Sequence, residues 1–388
     1  MKPTQRVLIL AFANSVGFSA TTAMSLWITS VDQILSTPSW WGSVVGSAQL
    51  GAAALANFVA PYVLRNLTCE QLVRVAAALA SISGAIMALS SDANLFAAAA
   101  IGLGLSLGFV LSGANALLAR AHSVQGAYAT AQICEVAFAA CFYLLSGILI
   151  GSFGLWSLFA LLSLLGLAVT VAAHFLAMQE QSPREAPGTQ PLGYFDWRMP
   201  AAAVAFVVFF IGQSSFLQHQ VAIGSLVGIE HVAMTRVMAI AMIGGFLGAV
   251  ASKVVGLRAG LVAPVLFTTF ALSLVLVTGP VTDNKIVFAL CVVFTQAFTM
   301  ATVPYFFTLL SKLDPTGRFP SRGPALLLIG VAGGPLVAEL FLNLGGYPLG
   351  GFAGAILVLF SGGVFFLTAR SSGKMTKREA ADFAAPRR

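Results

Sequence analysis

Charged side chains are scarce in this sequence. Only 9% of its 388 residues are Asp, Glu, Lys or Arg, whereas 58% are hydrophobic. Soluble domains carry about a quarter charged residues, so these few charges could not cover a water-exposed surface. The composition therefore excludes an ordinary soluble globular protein.

Cysteine and the common catalytic motifs are also scarce. The four cysteines are Cys69, Cys134, Cys141 and Cys291, and their spacing predicts neither a disulfide framework nor a metal site. The sequence has no H-E-x-x-H motif, no glycine-rich phosphate loop and no convincing nucleophile–base pair. The net charge of +7 is spread over scattered single residues, which does not favour nucleic acid. We expect no enzyme activity, no cofactor and no nucleic-acid partner.

Long apolar runs are abundant. Segments of about 18 residues without an interior charge are long enough to cross roughly 30 Å of hydrocarbon. The sequence predicts twelve such spans, and the first, which runs past twenty residues, is expected to be retained rather than cleaved as a secretion signal. The predicted spans are 7–30, 41–63, 72–90, 95–119, 125–149, 154–177, 200–225, 232–254, 260–279, 285–310, 323–345 and 348–369.

The basic residues predict the orientation. With twelve spans, eighteen of the twenty Lys and Arg residues fall on the side that holds both termini, and only Arg236 and Lys285 remain outside this set. Cytoplasmic loops carry such an excess. We therefore expect a multi-pass protein of the cytoplasmic (inner) membrane with both termini in the cytoplasm.

One polar connection divides the chain into two sets of six spans. It runs from Met178 to Pro200 and is rich in Pro, Gly and charge, as is typical of a linker. The expected organisation is an N-terminal six-helix bundle (1–178), a cytoplasmic linker (179–199), a C-terminal six-helix bundle (200–370) and a basic cytoplasmic tail (371–388). The fold class is an all-α membrane protein with twelve transmembrane helices.

Polar residues inside the spans recur in a threefold rhythm. The third, sixth, ninth and twelfth spans have no interior amide, carboxylate or cation, whereas the others carry them. Intramembrane polar groups face a bundle interior or a wet cavity rather than lipid, so eight helices are expected to surround one central space. Hydroxyls and amides that merely join helices are the alternative for any single residue. The interior polar residues are Asn14, Gln49, Asn57, Asn115, Gln132, Glu135, Gln213, Gln218, His219, Gln220, Arg236, Gln296, Glu339 and Asn343.

Two six-helix halves with this rhythm resemble the major facilitator superfamily. The segment GAVASKVVGLRAG, 248–260, is similar to that family's loop between the second and third helices of each half, with Ser252 where an Asp is usual. The fourth span lacks the arginine typical of drug/proton antiporters. The resemblance implies alternating access about a central site and conformational roles for Arg65, Lys253 and Arg258.

Three ionisable residues are candidates for proton coupling: Glu135, Glu339 and His219. Glu135 has no obvious cation in its own half and is expected to hold a proton in a low-dielectric medium; the alternative is a neutral structural Glu bonded to Gln132. Glu339 has two competing interpretations, a buried ion pair with Arg236 or a carboxyl that titrates when water reaches it. His219 titrates near neutral pH or donates a hydrogen bond to substrate.

Substrate contacts are expected from amides and one cation. Arg236 can hold an anionic group bidentately, unless Glu339 occupies it. The expected substrate-binding residues are Asn14, Gln49, Gln132, Gln213, Arg236, Gln296 and Tyr305. Asp32, at the outer end of the first span, is grouped with the gating residues or is simply solvated.

The sequence thus favours proton-coupled secondary transport of a small anionic or zwitterionic solute. A proton-driven exporter of hydrophobic drugs or metabolites is the alternative within transport, and a membrane-embedded enzyme or lipid flippase is the alternative outside it. The expected partners are the substrate, protons and the lipid bilayer, and the expected state is a monomer.

Overall fold

The computed structural model describes residues 3–121, 124–175, 197–256, 258–314 and 322–384, and all regular secondary structure in these ranges is helical. Most of the expected linker lies outside the described residues. The helices are α1 (Pro3–Gly17), α2 (Ser19–Trp27), α3 (Val31–Leu35), α4 (Trp41–Val63), α5 (Cys69–Leu89), α6 (Ala93–Leu118), α7 (Val124–Phe153), α8 (Trp156–His174), α9 (Arg198–Leu217), α10 (Gln220–Leu226), α11 (His231–Val255), α12 (Val262–Thr278), α13 (Lys285–Leu313) and α14 (Gly323–Ala384).

Several helices begin where a side chain can satisfy the first free N–H groups. Thr68 accepts from the Gln71 N–H, and the Gln71 side chain accepts from the Thr68 N–H in return, which is a capping box. Asp92 accepts from the N–H of Leu95 at 2.7 Å, and Asn284 accepts from Ile286 at 2.9 Å. These polar residues stand directly before apolar runs, so they set where α5, α6 and α13 start.

Ten helical segments of the described residues are long and apolar enough to cross a membrane, and the chain is a multi-pass membrane protein. One of them, Gly323–Ser371, has 49 residues and breaks at Gly345 and Gly346, where Gly346 has a φ of 76°. That left-handed backbone favours glycine, and the break falls between the two spans expected there. The helix α12 has 17 residues, about 25 Å at 1.5 Å per residue, and the twelve-span count stays a prediction.

The two halves of the chain repeat one packing scheme. In the first half, α4 packs on α6, α5 on α8, and α1 on α6 and α7; in the second, α11 packs on α13, α12 on α14, and α9 on α13 and α14. Glycines bring these pairs together: a Cβ on Gly84 would meet Ser163 N at 2.8 Å, and one on Gly244 would meet Val293 O at 2.9 Å. Small residues allow such close helix approach in membranes.

The most extensive packing between the halves, among the described residues, is that of α4 with α14 and of α7 with α11. Each half buries aromatic side chains in its own interior. Trp27, Phe96 and Phe159 pack edge-to-face in the first half, and Phe206, Phe306 and Phe365 pack together in the second. The rigid interiors leave the space between the halves as the place for a site.

Candidate functional site

A cavity of about 340 Å³ lies between the halves. Its volume is at the lower end of the range of small-molecule sites, about 300–1,000 Å³. The lining side chains come from α1, α2, α6 and α7 in the first half and from α9, α11, α13 and α14 in the second. The cavity residues with a polar or aromatic side chain are Asn14, Ser15, Phe18, Thr21, Thr22, Asn115, Tyr128, Gln132, Glu135, Phe138, Tyr143, Phe210, Gln213, Gln218, Gln296, Thr299 and Phe307.

Four of the sequence-predicted substrate residues line this cavity: Asn14, Gln132, Gln213 and Gln296. Asn14 Oδ1 and Gln213 Oε1 are buried and have no hydrogen-bond partner among the described residues. A buried polar atom without a partner is unfavourable by about 1–3 kcal/mol, and such atoms are rare. Both amides therefore have free acceptor positions for a bound solute or water.

Glu135 is the only acidic or basic side chain among the described residues that line the cavity. It lies on α7 one turn from Gln132, and it is half-buried. No described residue forms an ion pair or a hydrogen bond with its carboxyl group. Gln132 and Glu135 are neighbours on α7, as expected from their spacing of three residues. Both side chains line the cavity, so Glu135 is not enclosed in a contact between packed helices.

Three of the expected substrate residues do not line the cavity: Gln49, Arg236 and Tyr305. The Gln49 side chain is fully buried between α4 and α6, where a Cβ on Gly104 would meet its Cγ at 3.0 Å. The Tyr305 hydroxyl donates to the carbonyl of Gly256 at 3.2 Å and so holds the end of α11.

Arg236 is exposed on the outside of α11 and does not line this cavity, so its role in substrate binding stays a prediction that the cavity does not support. Met242 and Gly245 are the α11 residues that reach the cavity, and at 100° per residue they lie about 120° and 180° around the helix from Arg236. The expected ion pair between Arg236 and Glu339 does not form among the described residues. Glu339 Oε2 accepts a hydrogen bond from Ser43 Oγ at 3.1 Å instead.

The contact between Ser43 and Glu339 joins the two halves at the helix ends opposite the chain termini, which we call the far face. At the same face, a Cβ on Gly151 of α7 would meet Val232 of α11 at 3.1 Å, and Gly147 packs directly against Thr235. None of these residues lines the cavity, whereas Asn115, Tyr128, Phe307 and Pro324, near the opposite helix ends, do. The structure is therefore closed at the far face, and the cavity extends from its middle toward the termini.

His219 lies beside this closure and not in the cavity. It is buried between α9 and α10; its Nδ1 is 3.2 Å from the carbonyl oxygen of Ser215, and no part of the chain that the structure describes bonds its Nε2. Its ring lies 6.1 Å from that of Tyr347. Gln218, the preceding residue, lines the cavity. His219 and Glu339 are thus separated from the space that holds Glu135.

Asp32 is buried at the far face, so it is not simply solvated. Its Oδ1 accepts from the Gly42 N–H at 2.7 Å and from Thr37 Oγ1 at 3.3 Å, which ties the turn after α3 to the first residues of α4. Because Gly42 precedes Ser43, Asp32 supports the residue that bonds Glu339. This placement agrees with a gating role, which stays a prediction.

We expect Asp32 to make stability depend on pH. Burial raises the pKa of Asp32 from 3.8 to about 6, with a smaller increase from the charge of Glu339, and the Gly42 and Thr37 bonds oppose the rise. The pKa of Asp32 in the folded protein lies above its ordinary value. Protonated Asp32 therefore makes its full contribution to stability below about pH 4, and this contribution is lost as the pH rises through about 6. Asp32→Asn keeps the oxygen acceptor, so its melting temperature in detergent should vary less between pH 4 and 6. The exposed Asp283→Asn is the control, and an unchanged slope in Asp32→Asn would contradict the assignment.

The expected loop residues lie at the helix ends near the termini. Arg65, Lys253 and Arg258 are exposed. The Arg65 guanidinium stacks over the Tyr62 ring at 5.2 Å, and Lys253 lies in the last turn of α11. Their conformational roles stay predictions.

The sequence reasoning missed Tyr143, which lines the cavity. In the sequence, Tyr128, Gln132, Glu135, Ala139 and Phe142 form one helical stripe, and a step of four residues from Ala139 reaches Tyr143 instead of Phe142, so a signal for Tyr143 was present. The contributions of Met242, Met300 and Pro324 had no such signal, because apolar residues are equally suited to lipid-facing and cavity-facing positions.

The sequence matches no known family model, and no curated protein matches it. Solved structures do resemble its fold. One of them is the structure described as "In meso crystal structure of the POT family transporter PepTSo", with a TM-score of 0.75 and 12% sequence identity over 96% of this chain and 99% of that chain. At this identity the likeness shows a shared fold along almost the whole length of both chains.

Proposed function

We propose that this protein is a secondary transporter of the major facilitator type that exchanges protons for a cationic, amphipathic organic solute. The observation that carries the proposal is the central cavity, in which Glu135 is the sole acidic or basic group among the described lining residues. The fold shared with a POT family transporter supports the transport class.

The transport step in this proposal is a rocking of two six-helix halves, with α1–α8 in one and α9–α14 in the other, about the cavity. The broken α14 supplies two crossings and α12 supplies one, which gives twelve. The far-face contact between Ser43 and Glu339 and the contact between Gly147 and Thr235 must open for the other state to form. Both termini are cytoplasmic in this proposal, so the cavity faces the cytoplasm of the inner membrane, and the transporter acts as a monomer.

Coupling follows from competition at Glu135. A carboxyl group can hold either a proton or a cationic group of the solute, and in a low-dielectric cavity the bare carboxylate is unfavourable. A change of conformation is therefore unfavourable while Glu135 is ionised and unoccupied. In each half of the transport cycle, Glu135 carries either a proton or the cationic solute across the membrane. Mutually exclusive occupancy is the physical basis of exchange. Glu339 and His219 serve the far-face closure in this proposal and contribute to coupling only through the gate.

The cavity favours a neutral or cationic solute over the anionic solute that the sequence suggested first. An anion would require a cation to replace its lost hydration, and Arg236 is on the outside of α11. Phe18, Phe138, Phe210 and Phe307 contribute aromatic faces to the wall, which suit an apolar body and attract a cation. The free amide oxygens of Asn14 and Gln213 accept hydrogen bonds, which a protonated amine donates.

A ligand panel tests the solute class. The purified full-length protein is mixed with amines, permanent lipophilic cations, neutral analogues and carboxylates of matched size, and its thermal stability is measured at several pH values. We expect cations to stabilise the protein and carboxylates to leave it unchanged. Because protons compete for Glu135, the apparent affinity for a permanent cation should fall up to about tenfold per pH unit on the acidic side. Stabilisation by carboxylates alone would overturn the proposed solute class.

A further inference from the structure

A second cavity of about 560 Å³ lies on the outside of the second half, between α11 and α13. We call it the α11–α13 groove. Both helices begin at the far face and run side by side toward the other side of the membrane. The groove residues are Gly228, Ile229, Glu230, Ala233, Val237, Ile240, Lys285, Ile286, Ala289, Leu290 and Val293. The central cavity shares none of them.

The body of the groove is apolar and follows the helix axes. Ala233, Val237 and Ile240 are spaced along one face of α11, and at 1.5 Å per residue they cover about 10 Å of depth. The groove ends where α11 and α13 meet closely, since a Cβ on Gly244 would contact Val293 Cγ1 at 2.8 Å. An apolar groove that lies on the outside of the helix bundle and follows the helix axes can hold an acyl chain.

The rim of the groove carries one charge of each sign, Lys285 and Glu230. Both side chains are exposed, and they form no ion pair with each other. The Lys285 ammonium group lies over Gly228, with Nζ 3.4 Å from the position that a Cβ there would take. Two opposite charges that border one apolar groove without pairing can receive a group that carries both charges.

We propose that the α11–α13 groove binds a zwitterionic phospholipid with a primary-amine headgroup. Lys285 holds the phosphate, Glu230 accepts hydrogen bonds from the headgroup ammonium, and one acyl chain lies along Val237, Ile240 and Val293. Glu230 and Lys285 lie at the starts of α11 and α13, where a lipid headgroup would be placed. The apolar groove residues follow along both helices, toward the middle of the membrane. The binding would hold α11 and α13 together on the side away from α7. The site is independent of the transported solute.

Native mass spectrometry of the purified full-length protein tests this site, with phosphatidylethanolamine, phosphatidylcholine and phosphatidylglycerol added in turn. We expect one phosphatidylethanolamine to bind about tenfold more tightly than the other two, because choline has no N–H donor and glycerol has no positive charge. Lys285→Gln should weaken all phospholipid binding about tenfold. Glu230→Gln should retain binding but lose the preference for phosphatidylethanolamine over phosphatidylcholine.

Matched controls remove the same charges elsewhere: Lys253→Gln at the other end of α11 and Asp283→Asn in the loop before α13, both exposed. Ala289→Phe fills the groove without touching either charge and should also displace the lipid. Equal lipid binding by the wild type, Lys285→Gln and Ala289→Phe would overturn the proposal. A preference for phosphatidylglycerol would overturn the headgroup assignment, and a dimeric mass that Ala289→Phe abolishes would identify a second copy as the occupant.

Discussion

Glu135→Gln is expected to reduce proton-driven transport of a cationic solute to the background rate. Glutamine has nearly the same shape but neither releases a proton nor carries a charge, so a pH gradient loses its connection to the cavity. Hydrogen bonds to charged groups contribute about 1.5–3 kcal/mol, so the affinity for a cation should also fall about 10- to 100-fold. The measurement is pH-gradient-driven flux in proteoliposomes, paired with equilibrium binding.

The control for this variant is Gln132→Ala, which removes a polar cavity group one turn away and leaves the carboxyl group in place. It should weaken binding while keeping the dependence on the pH gradient. Glu339→Gln, at the far face, should keep cation affinity in the cavity. If Glu135→Gln accumulated the cationic solute in response to a pH gradient as well as the wild type does, the coupling assignment would be refuted, whatever the result of the ligand panel.

Gly147→Val is expected to shift the protein toward a state that is open at the far face. Gly147 of α7 lies against Thr235 of α11, with no space for a side chain, and this pair belongs to the α7–α11 interface between the halves. Overpacking at such a contact costs about 1–3 kcal/mol, which shifts a two-state equilibrium about 5- to 150-fold. Net transport should fall by a similar factor, whereas the fold of each half is retained.

Electron–electron distance measurements report this shift directly. Spin labels at Ser39 and Leu344, both exposed near the far face, should move apart in Gly147→Val when introduced into a chain whose four native cysteines have been replaced. Gly363→Val is the matched control, because nothing lies within 4 Å of the Cβ that it would add.

A second substitution distinguishes gating from simple damage. Thr235→Ala removes the hydroxyl that the new side chain would meet, so it should return part of the transport and part of the short far-face distance. A loss of thermal stability in Gly147→Val without any distance change, and without rescue by Thr235→Ala, would argue against a gate at this interface.

The sequence was most informative where burial in lipid restricts the choice of residue. A polar side chain inside a membrane span must face protein or water, so the fourteen interior polar residues were all assigned to one central space. Seven of them line the cavity: Asn14, Asn115, Gln132, Glu135, Gln213, Gln218 and Gln296. The other seven are Gln49, Asn57, His219, Gln220, Arg236, Glu339 and Asn343; a long cationic side chain such as Arg236, near a helix end, can reach the membrane surface instead.

Residue pairing between the halves could not be deduced in this way. Glu339 was expected to meet Arg236 because opposite charges attract, yet Ser43, some 300 positions away in the sequence, occupies its carboxylate. Which side chains meet depends on the rotation of each helix about its axis and on the conformational state of the two halves. A hydrophobic pattern does not define helix rotation or conformational state accurately enough to predict individual hydrogen bonds.

By itself the sequence determined the membrane environment, the helical class and the convergence of polar groups, because the hydrocarbon interior penalises every unpaired backbone group and every exposed charge. Only the tertiary structure decided that no described cavity residue offers Glu135 a cation, that Arg236 is exposed, and that Glu339 bonds Ser43 at the far face while Asp32 bonds the neighbouring Gly42. These outcomes depend on packing between helices that are distant in the chain, and the small differences in rotation that select them leave no trace in composition or periodicity.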